Sequence, residues 1–289
     1  MTTRRSFLKN TSILAAGAFL KNDPLFESRV KKIGLQLYTL RDIIDNDVAG
    51  VIAKIAAIGF KELEIYGYTA ERQFWGLKPK QFKELLDSNG LSAPSSHILF
   101  KNFFTGNADE EIKKTCEVAN TIGNKFIAFP ILDKEYRTTL NDYSVLAGKL
   151  NNAGKLIKEA GLQFAYHNHD FEFIKIENDQ HGYDIILNDT DKDLVKLELD
   201  LYWATKAKQD PVQLFERDPG RFVMWHVKDM DKNSGSFTEV GTGVVDFKRV
   251  FAKQERSGLQ HIFVEQDIVT GDLLKSIEQS FKYVKKDLV

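Results

Sequence analysis

Four apolar segments in the second half of the chain end in side chains that bind metals or transfer protons. Residues 162–165 lead to His167, 194–199 to Asp200, 221–225 to His226, and 261–264 to Glu265. The steps between these four residues are 33, 26 and 39, each about the length of one strand–helix unit. In a barrel of parallel strands, all C-terminal strand ends meet at one mouth. The spacing therefore predicts that the four side chains converge.

The same alternation of strands and helices extends through the first half of the chain. Strands are predicted at 33–38, 60–66, 91–98 and 125–130, with helices at 47–58, 78–88, 108–122 and 140–160. Gly59, Gly123 and Gly161 follow these helical patterns, as expected of residues that end helices. Eight units in series without a linker predict an α/β fold, a single (β/α)8 TIM barrel over residues 29–289. A doubly wound sheet is the alternative.

Composition limits the class of protein and its partners. The chain has 289 residues, of which 43% are hydrophobic and 28% charged, and a net charge of −1. This composition is typical of a globular protein, and the charge gives no indication of a nucleic-acid partner. The single cysteine, Cys116, excludes an internal disulfide and a cysteine zinc site.

Residues 1–28 are predicted to be a twin-arginine signal peptide with a short linker. Arg4 and Arg5 are followed by Phe7, Leu8 and Lys9, and then by a weakly apolar run over 13–20. That run is too short to span a bilayer, so no stable membrane anchor is expected. The expectation is export to the periplasm; a basic N-terminal arm is the alternative.

The strand ends supply the donor atoms of a metal site. His167 and His169 point to the same face if the strand continues through both, with Asn168 on the other face. The simpler interpretation of these two histidines alone is a polar strand end. Together, His167, Asp200, His226 and Glu265 form a mixed nitrogen and oxygen set that suits one Mn, Zn, Co or Fe ion better than Mg.

Other side chains at the predicted mouth are candidates for catalysis and substrate binding. Glu265 is predicted to move a proton and Lys228 to hold an oxyanion, although Lys228 and Asp229 could instead form a surface ion pair. His169 is the third catalytic candidate. Predicted substrate contacts are His97, Tyr38, Glu64, Trp203 and Glu172; Trp203 could equally pack under a lid. The glycine-rich stretch 234–243 lacks the flanking elements of a dinucleotide fingerprint and is predicted to be a loop over the mouth.

The sequence resembles the xylose-isomerase-like TIM barrels, the sugar phosphate isomerase/epimerase superfamily. The resemblance runs from about residue 33 to the C-terminus. It is carried by Gly-Leu-Gln-Leu-Tyr (34–38), Tyr-His-Asn-His-Asp-Phe-Glu-Phe (166–173), Leu-Asp-Leu-Tyr-Trp (199–203), His-Val-Lys-Asp (226–229), Gly-Thr-Gly (241–243) and Phe-Val-Glu-Gln-Asp (263–267). It implies a divalent metal bound at the ends of strands five to eight, often by Glu, Asp, His and Glu.

The fifth-strand position departs from this pattern. Asp200, His226 and Glu265 match the last three ligands by similarity, but His167 stands where many members have a glutamate. Epimerases of the superfamily are thought to exchange the proton between two ligand carboxylates on opposite faces. The missing carboxylate therefore leaves open a stand-in role for Glu172 or Asp170, a one-base isomerisation, or a β-elimination.

The predicted function is that of a divalent-metal-dependent isomerase or epimerase acting on a keto-sugar or 3-keto-glycoside. The alternatives are a metal-dependent lyase or dehydratase on a keto-polyol, and an exported carbohydrate-binding barrel without catalysis. A DNA repair endonuclease of the same superfamily is disfavoured by the six histidines, the net charge of −1 and the export signal. An oligomer is possible.

Overall fold

Eight parallel strands close into a barrel in the computed structural model, which describes residues 30–289. The strands, numbered one to eight along the chain, are Gly34–Gln36, Glu62–Ile65, Ser92–His97, Phe126–Phe129, Gln163–His167, Val195–Asp200, Phe222–Val227 and His261–Val264. Each strand pairs with the next, and the first pairs with the eighth. The predicted (β/α)8 barrel is confirmed. The predicted signal peptide lies outside the described residues.

Helices follow the strands and cover the outside of the barrel. They span Arg41–Ile44, Val48–Ile58, Pro79–Ser88, Asp109–Ile122, Leu140–Glu159, Gly182–Asp189, Leu201–Lys206, Pro211–Arg217, Phe247–Phe251, Gln254–Ser257 and Leu273–Asp287. Short 3-10 turns occur at Leu37–Leu40, Lys134–Tyr136 and Phe171–Phe173, and two small hairpins pair Lys175–Glu177 with Gln180–His181 and Asp229–Met230 with Phe237–Thr238. Within 30–289, no helix is both long and apolar enough to cross a bilayer.

Local chemistry explains several helix starts. The Asp47 side chain accepts a hydrogen bond from the backbone N–H of Gly50, and that of Asp210 accepts one from Val212. Both satisfy N–H groups that the first turn of a helix leaves unpaired. Two short helices, Phe247–Phe251 and Gln254–Ser257, stand in place of one longer helix, because the chain leaves helical geometry near Lys253.

The interior of the barrel has an apolar layer below a polar mouth. Phe126, Ala128, Ala165, Met224 and Phe263 are buried together in a cluster separate from the main core between strands and helices. Alternate residues of a strand share a face, so the residues two positions after Ala165, Met224 and Phe263 stand above this layer. They are His167, His226 and Glu265. The fold therefore places these side chains at the C-terminal mouth.

The glycine-rich stretch is a loop after the seventh strand. The Asp229 carboxylate accepts hydrogen bonds from the N–H groups of Gly241 and Gly243, both at 2.9 Å, and from Val245 at 3.1 Å. A Cβ on Gly243 would lie 2.3 Å from the carbonyl oxygen of Met230, so this approach requires glycine. Asp229 therefore fixes the base of the loop.

Candidate functional site

A cavity of about 610 Å³ opens at the C-terminal end of the barrel. It is lined by Tyr38, Arg41, Tyr66, Gly67, Tyr68, Thr69, His97, Leu99, Pro130, Ile131, His167, His169, Trp203, Lys228, Phe237, Glu265, Asp267 and Ile268. Apart from Arg41 of the first helix, the charged and imidazole side chains come from the ends of strands three, five, seven and eight. Enzymes with this fold place their active sites at this end.

Three of the four predicted metal ligands present donor atoms within 4.8 Å of one another: Asp200, His226 and Glu265. His226 Nδ1 lies 2.6 Å from Glu265 Oε2 and 3.9 Å from Asp200 Oδ2. The fourth, His167, reaches this group through Nε2, which lies 3.7 Å from Asp200 Oδ2. Donor atoms that each bind one ion at about 2.0–2.2 Å lie roughly 3–4 Å from one another, which is close to the separations between these side chains. The structure thus brings the predicted set together.

His167 also belongs to a second, deeper group with His97, Glu198 and His226. Glu198 Oε2 lies 2.6 Å from His97 Nε2, 3.1 Å from His167 Nδ1 and 3.4 Å from His226 Nε2. Glu198 is fully buried, and its other oxygen, Oε1, has no hydrogen-bond partner. Its carboxylate fixes the ring orientation of two predicted ligands from below, as carboxylates behind metal-binding histidines commonly do.

Glu64 provides a second deep carboxylate. Its Oε2 lies 2.5 Å from His226 Nε2 and 3.1 Å from His97 Nε2, and it accepts from Gln36 Nε2 at 2.7 Å. Glu64 is fully buried and does not line the cavity. The structure thus places Glu64 beneath the histidines rather than at the cavity surface, where a substrate contact was predicted. Burial opposes protonation of His97, but Glu64 and Glu198 outweigh it and raise the pKa of His97 to about 9.

Lys228 lies among the carboxylates at the mouth. Its Nζ lies 2.6 Å from Glu265 Oε2, 3.0 Å from Asp200 Oδ2 and 3.0 Å from Asp267 Oδ1. Burial opposes the charged form, but the three carboxylates outweigh it and keep the pKa of Lys228 well above its usual value. Lys228 is buried and pairs with these groups, so the alternative of a surface ion pair with Asp229 is wrong.

The fifth-strand exit supplies His169, whose ring lies 5.3 Å from that of Trp203 and stacks on Phe171 at 5.4 Å. His169 Nδ1 is buried without a hydrogen-bond partner. Burial, and then Lys228, lower the pKa of His169 to about 3, so this imidazole is neutral at neutral pH. His169, Trp203, His97 and Tyr38 all line the cavity, as their predicted roles require.

Glu172 lies behind the cavity wall. It is fully buried, absent from the lining, and accepts hydrogen bonds from the Tyr166 hydroxyl at 2.8 Å and from the His169 backbone N–H at 2.9 Å. The structure thus places Glu172 behind the cavity wall rather than at the surface, where a substrate contact was predicted. Its carboxylate fixes the turn that carries His169. Burial raises the pKa of Glu172 to about 7, although these hydrogen bonds oppose the increase.

Glu198 and Asp267 were not among the predicted site residues. Glu198 precedes Asp200 by two residues, and Asp267 follows Glu265 by two. Because residues two apart in an extended segment share a face, each lies on the same face as a predicted metal ligand. That two-residue spacing was the feature of the sequence that could have identified them. Their pairing with His97 and Lys228, respectively, depends on strands that are distant in sequence.

The donor set fits a divalent metal ion. His167, Asp200, His226 and Glu265 offer two imidazole nitrogens and two carboxylate oxygens, a set that zinc, manganese, cobalt and iron accept. The deep carboxylates Glu64 and Glu198 would keep the outward nitrogens of both rings turned to the ion. Lys228, now bridging Asp200 and Glu265, would retain Asp267 as its partner beside a bound ion.

Comparison with known proteins places this barrel in a family. The sequence model described as xylose isomerase-like TIM barrel matches residues 52–286, which is most of the chain. The chain belongs to the xylose isomerase-like TIM barrel family. Its curated relatives include inosose dehydratases from Clostridium botulinum, 25% identical, and Clostridium perfringens, 24% identical. Both alignments cover 84% of this chain and 90% of the relative.

Solved structures show the same architecture. A sugar phosphate isomerase/epimerase from Parabacteroides distasonis matches with a TM-score of 0.79 and 27% identity, over 90% of this chain and 96% of that chain. L-ribulose 3-epimerase matches with a TM-score of 0.69 at 13% identity, over 89% and 94%. The IOLI protein, whose structure is described with a bound zinc atom, matches with a TM-score of 0.69 at 14% identity, over 88% and 97%. The last two likenesses are of fold alone.

Proposed function

We propose that this chain is a metal-dependent enzyme that removes a proton next to the ketone of a polyhydroxy ketone, a keto-sugar or a 3-keto-glycoside. The observation that carries the proposal is the convergence of Asp200, His226 and Glu265 below a cavity that Glu265 itself lines. When bound there, a divalent ion withdraws electrons from a ketone oxygen and makes the neighbouring C–H more acidic. His167, Asp200, His226 and Glu265 would hold it.

Glu265 is the base in this proposal. A carboxylate can bind through one oxygen and keep a lone pair on the other, whereas a neutral imidazole bound through one nitrogen carries hydrogen on its second. His167 is therefore a ligand only. Lys228 lies 2.6 Å from Glu265 and lines the cavity, so its ammonium can stabilise the negative oxygen that forms when the proton leaves. His97 and His169 are placed to bind substrate hydroxyls.

We propose that β-elimination follows proton removal. Glu265 takes the proton from the carbon beside the ketone, and the C–H electron pair forms a carbon–carbon double bond. The group on the next carbon, a hydroxyl in a keto-sugar or the aglycone oxygen in a 3-keto-glycoside, leaves with its bonding electrons and takes the proton from Glu265. Water or the aglycone alcohol is released, the Glu265 carboxylate is regenerated, and an unsaturated ketone remains. Two observations favour this outcome: the curated relatives are inosose dehydratases, and the fifth strand presents imidazoles where an epimerase would need a second carboxylate.

Isomerisation or epimerisation is the second candidate. It shares the proton removal, but the proton returns to carbon and no group leaves. The specific observation in its favour is the 27% identical sugar phosphate isomerase/epimerase with a TM-score of 0.79.

One experiment tests both outcomes. The purified chain, loaded with zinc, is incubated in D2O with keto-sugars, 3-keto-glycosides and inososes, and the products are followed by NMR and mass spectrometry. A conjugated product lighter by one water, or for a 3-keto-glycoside lighter by its aglycone alcohol, supports elimination. Deuterated substrate or isomer of unchanged composition supports the second candidate. If no ketone exchanges a C–H proton faster than with the Glu265→Gln variant, the proposed proton removal is wrong.

We also propose export through the twin-arginine pathway, on the strength of Arg4, Arg5 and the following Phe-Leu-Lys. Replacing both arginines by lysine should retain the protein in the cytoplasm, as measured by cell fractionation. Periplasmic protein at the parent level in that variant would contradict the proposal.

A further inference from the structure

The rim of the cavity is unusually apolar for an exposed surface. In the part of the chain from 30 to 289, eight large hydrophobic side chains are exposed, and four of them line this one cavity. These four, here called the rim, are Tyr38 (41% exposed), Leu99 (59%), Ile131 (37%) and Ile268 (56%). Exposed apolar surface concentrated at one cavity indicates a binding surface.

Strand geometry explains why the rim stands above the polar floor. Tyr38, Leu99 and Ile131 each lie two residues beyond the last residue of a barrel strand. Because residues two apart share a face, Leu99 continues outward on the side of His97, which lies on the floor. The cavity thus joins a charged inner part to an apolar outer part.

The volume exceeds what a reacting sugar ring needs. A cavity of about 610 Å³ lies within the range of pockets that hold drug-sized ligands, about 300–1,000 Å³. A single six-carbon ring is smaller than such a ligand, so a ring bound beside Glu265 and Lys228 would leave space next to the rim. The rim consists of hydrocarbon and phenol groups, which suit an aromatic or alkyl substituent better than the hydroxyls of a second sugar.

We infer that the rim is a subsite for an apolar aglycone attached to the reacting ring, so that the substrates are keto-glycosides of aromatic or alkyl alcohols rather than free keto-sugars. The inference rests on the proposed function for the reacting ring. Its physical basis is the burial of Leu99, Ile131 and Ile268 against the aglycone, which stabilises the complex in proportion to the apolar area removed from water.

The test compares two ligands that differ only at the aglycone, a phenyl and a methyl 3-keto-glucoside. Affinity is measured by calorimetry on the zinc-loaded full chain, and KM by the NMR assay. We expect roughly tenfold to a hundredfold tighter binding of the phenyl compound.

Leu99→Ser and Ile131→Ser should each weaken phenyl binding by roughly fivefold and leave methyl binding unchanged. Ile174→Ser is the matched control, since Ile174 is 60% exposed but lies outside the cavity.

The outcomes separate the inference from the proposed function. Equal affinities for the two glycosides, with proton exchange present, overturn the inference and leave the function standing. Tighter phenyl binding that the rim variants abolish supports the subsite even if no proton exchanges, in which case the proposed chemistry fails alone. Light scattering tests a third outcome, in which Leu99→Ser and Ile131→Ser convert an oligomer to a monomer and change neither affinity. In that case the rim is a contact between copies of this chain, and the inference is wrong.

Discussion

The two ends of the barrel carry the same pair of side chains, a histidine against a glutamate, in different surroundings. At the N-terminal end, His261 Nδ1 lies 2.7 Å from Glu62 Oε2, and Lys32 lies 3.6 Å from the other oxygen. At the mouth, His226 Nδ1 lies 2.6 Å from Glu265 Oε2, but Glu64, Glu198 and Asp200 also approach the same ring.

The difference lies in how much charge surrounds each pair. The cavity at the N-terminal end, about 480 Å³, is lined by Lys125, Lys158, Lys196 and His261, and His261 pairs with Glu62. At the mouth, five carboxylates share three imidazoles and Lys228. Such crowding of buried charges is costly without a compensating ligand and is characteristic of functional sites. The pair of His261 and Glu62 therefore stabilises the N-terminal end, whereas the same pair of residue types at the mouth, His226 and Glu265, is suited to catalysis.

The largest expected effect is the loss of proton transfer when the mouth glutamate is changed. Glu265→Gln should lower the rate of substrate C–H exchange by about 10²–10⁴-fold at saturating metal, because the base is removed. Glu62→Gln, the matched change at the other end, should leave the rate within about twofold. NMR exchange rates check both, with metal content measured in parallel. Similar losses in the two variants would contradict the distinction between the ends.

The next effect concerns Glu172, a buried carboxylate near the mouth. Tyr166 donates to it, and Arg137, Tyr143 and Tyr183 are the other titratable groups that act on it. Its pKa rises from 4.5 to about 7 on folding, so its protonated form stabilises the fold below pH 4.5, and this contribution is lost as the pH rises through 7.

The Glu172 contribution amounts to about 3 kcal/mol over that range. Urea unfolding at pH 4.5 and 8 should show a free energy of unfolding that falls with pH in the parent and falls less in Glu172→Gln. Glu62→Gln serves as the control, and an unchanged pH slope in Glu172→Gln would show that other groups cause the dependence.

A smaller effect is expected from the carboxylate below the metal site. Glu198→Gln should weaken metal binding by about 10–100-fold, because the amide cannot orient the rings of His167 and His226 as the carboxylate does. Competition with a chromogenic chelator measures the affinity, and Glu62→Gln should bind metal as the parent does. If Glu198→Gln binds metal with the affinity of the parent, Glu198 does not orient the metal ligands.

The smallest expected effect is on stability alone. His261→Ala should lower the free energy of unfolding by about 1 kcal/mol, since Glu62 loses a hydrogen-bonded partner but keeps Lys32. Metal stoichiometry and exchange rate should remain those of the parent, whereas His226→Ala should lose the metal. Reduced metal content in His261→Ala would mean that the two ends of the barrel are coupled.

Much of the mouth was predictable because strand ends converge wherever parallel strands close into a barrel. The apolar runs before His167, Asp200, His226 and Glu265, and the spacing between them, determined that these side chains would meet. The helix stop at Gly59 and the helix start at Asp210 likewise depend on neighbouring residues alone, so the sequence was sufficient for them.

Only the tertiary structure decided which of the acidic residues face the cavity. Glu64 and Glu172 occupy sequence positions much like those of Glu265, near strand ends, yet both are buried behind the histidines they support. Glu198 is a deep partner of His97 from a strand 101 residues away in sequence. The physical reason is that depth within the barrel depends on the stagger between strands and on what fills the layer below. Both are properties of the closed sheet, whereas the sequence of one strand determines only which residues share a face.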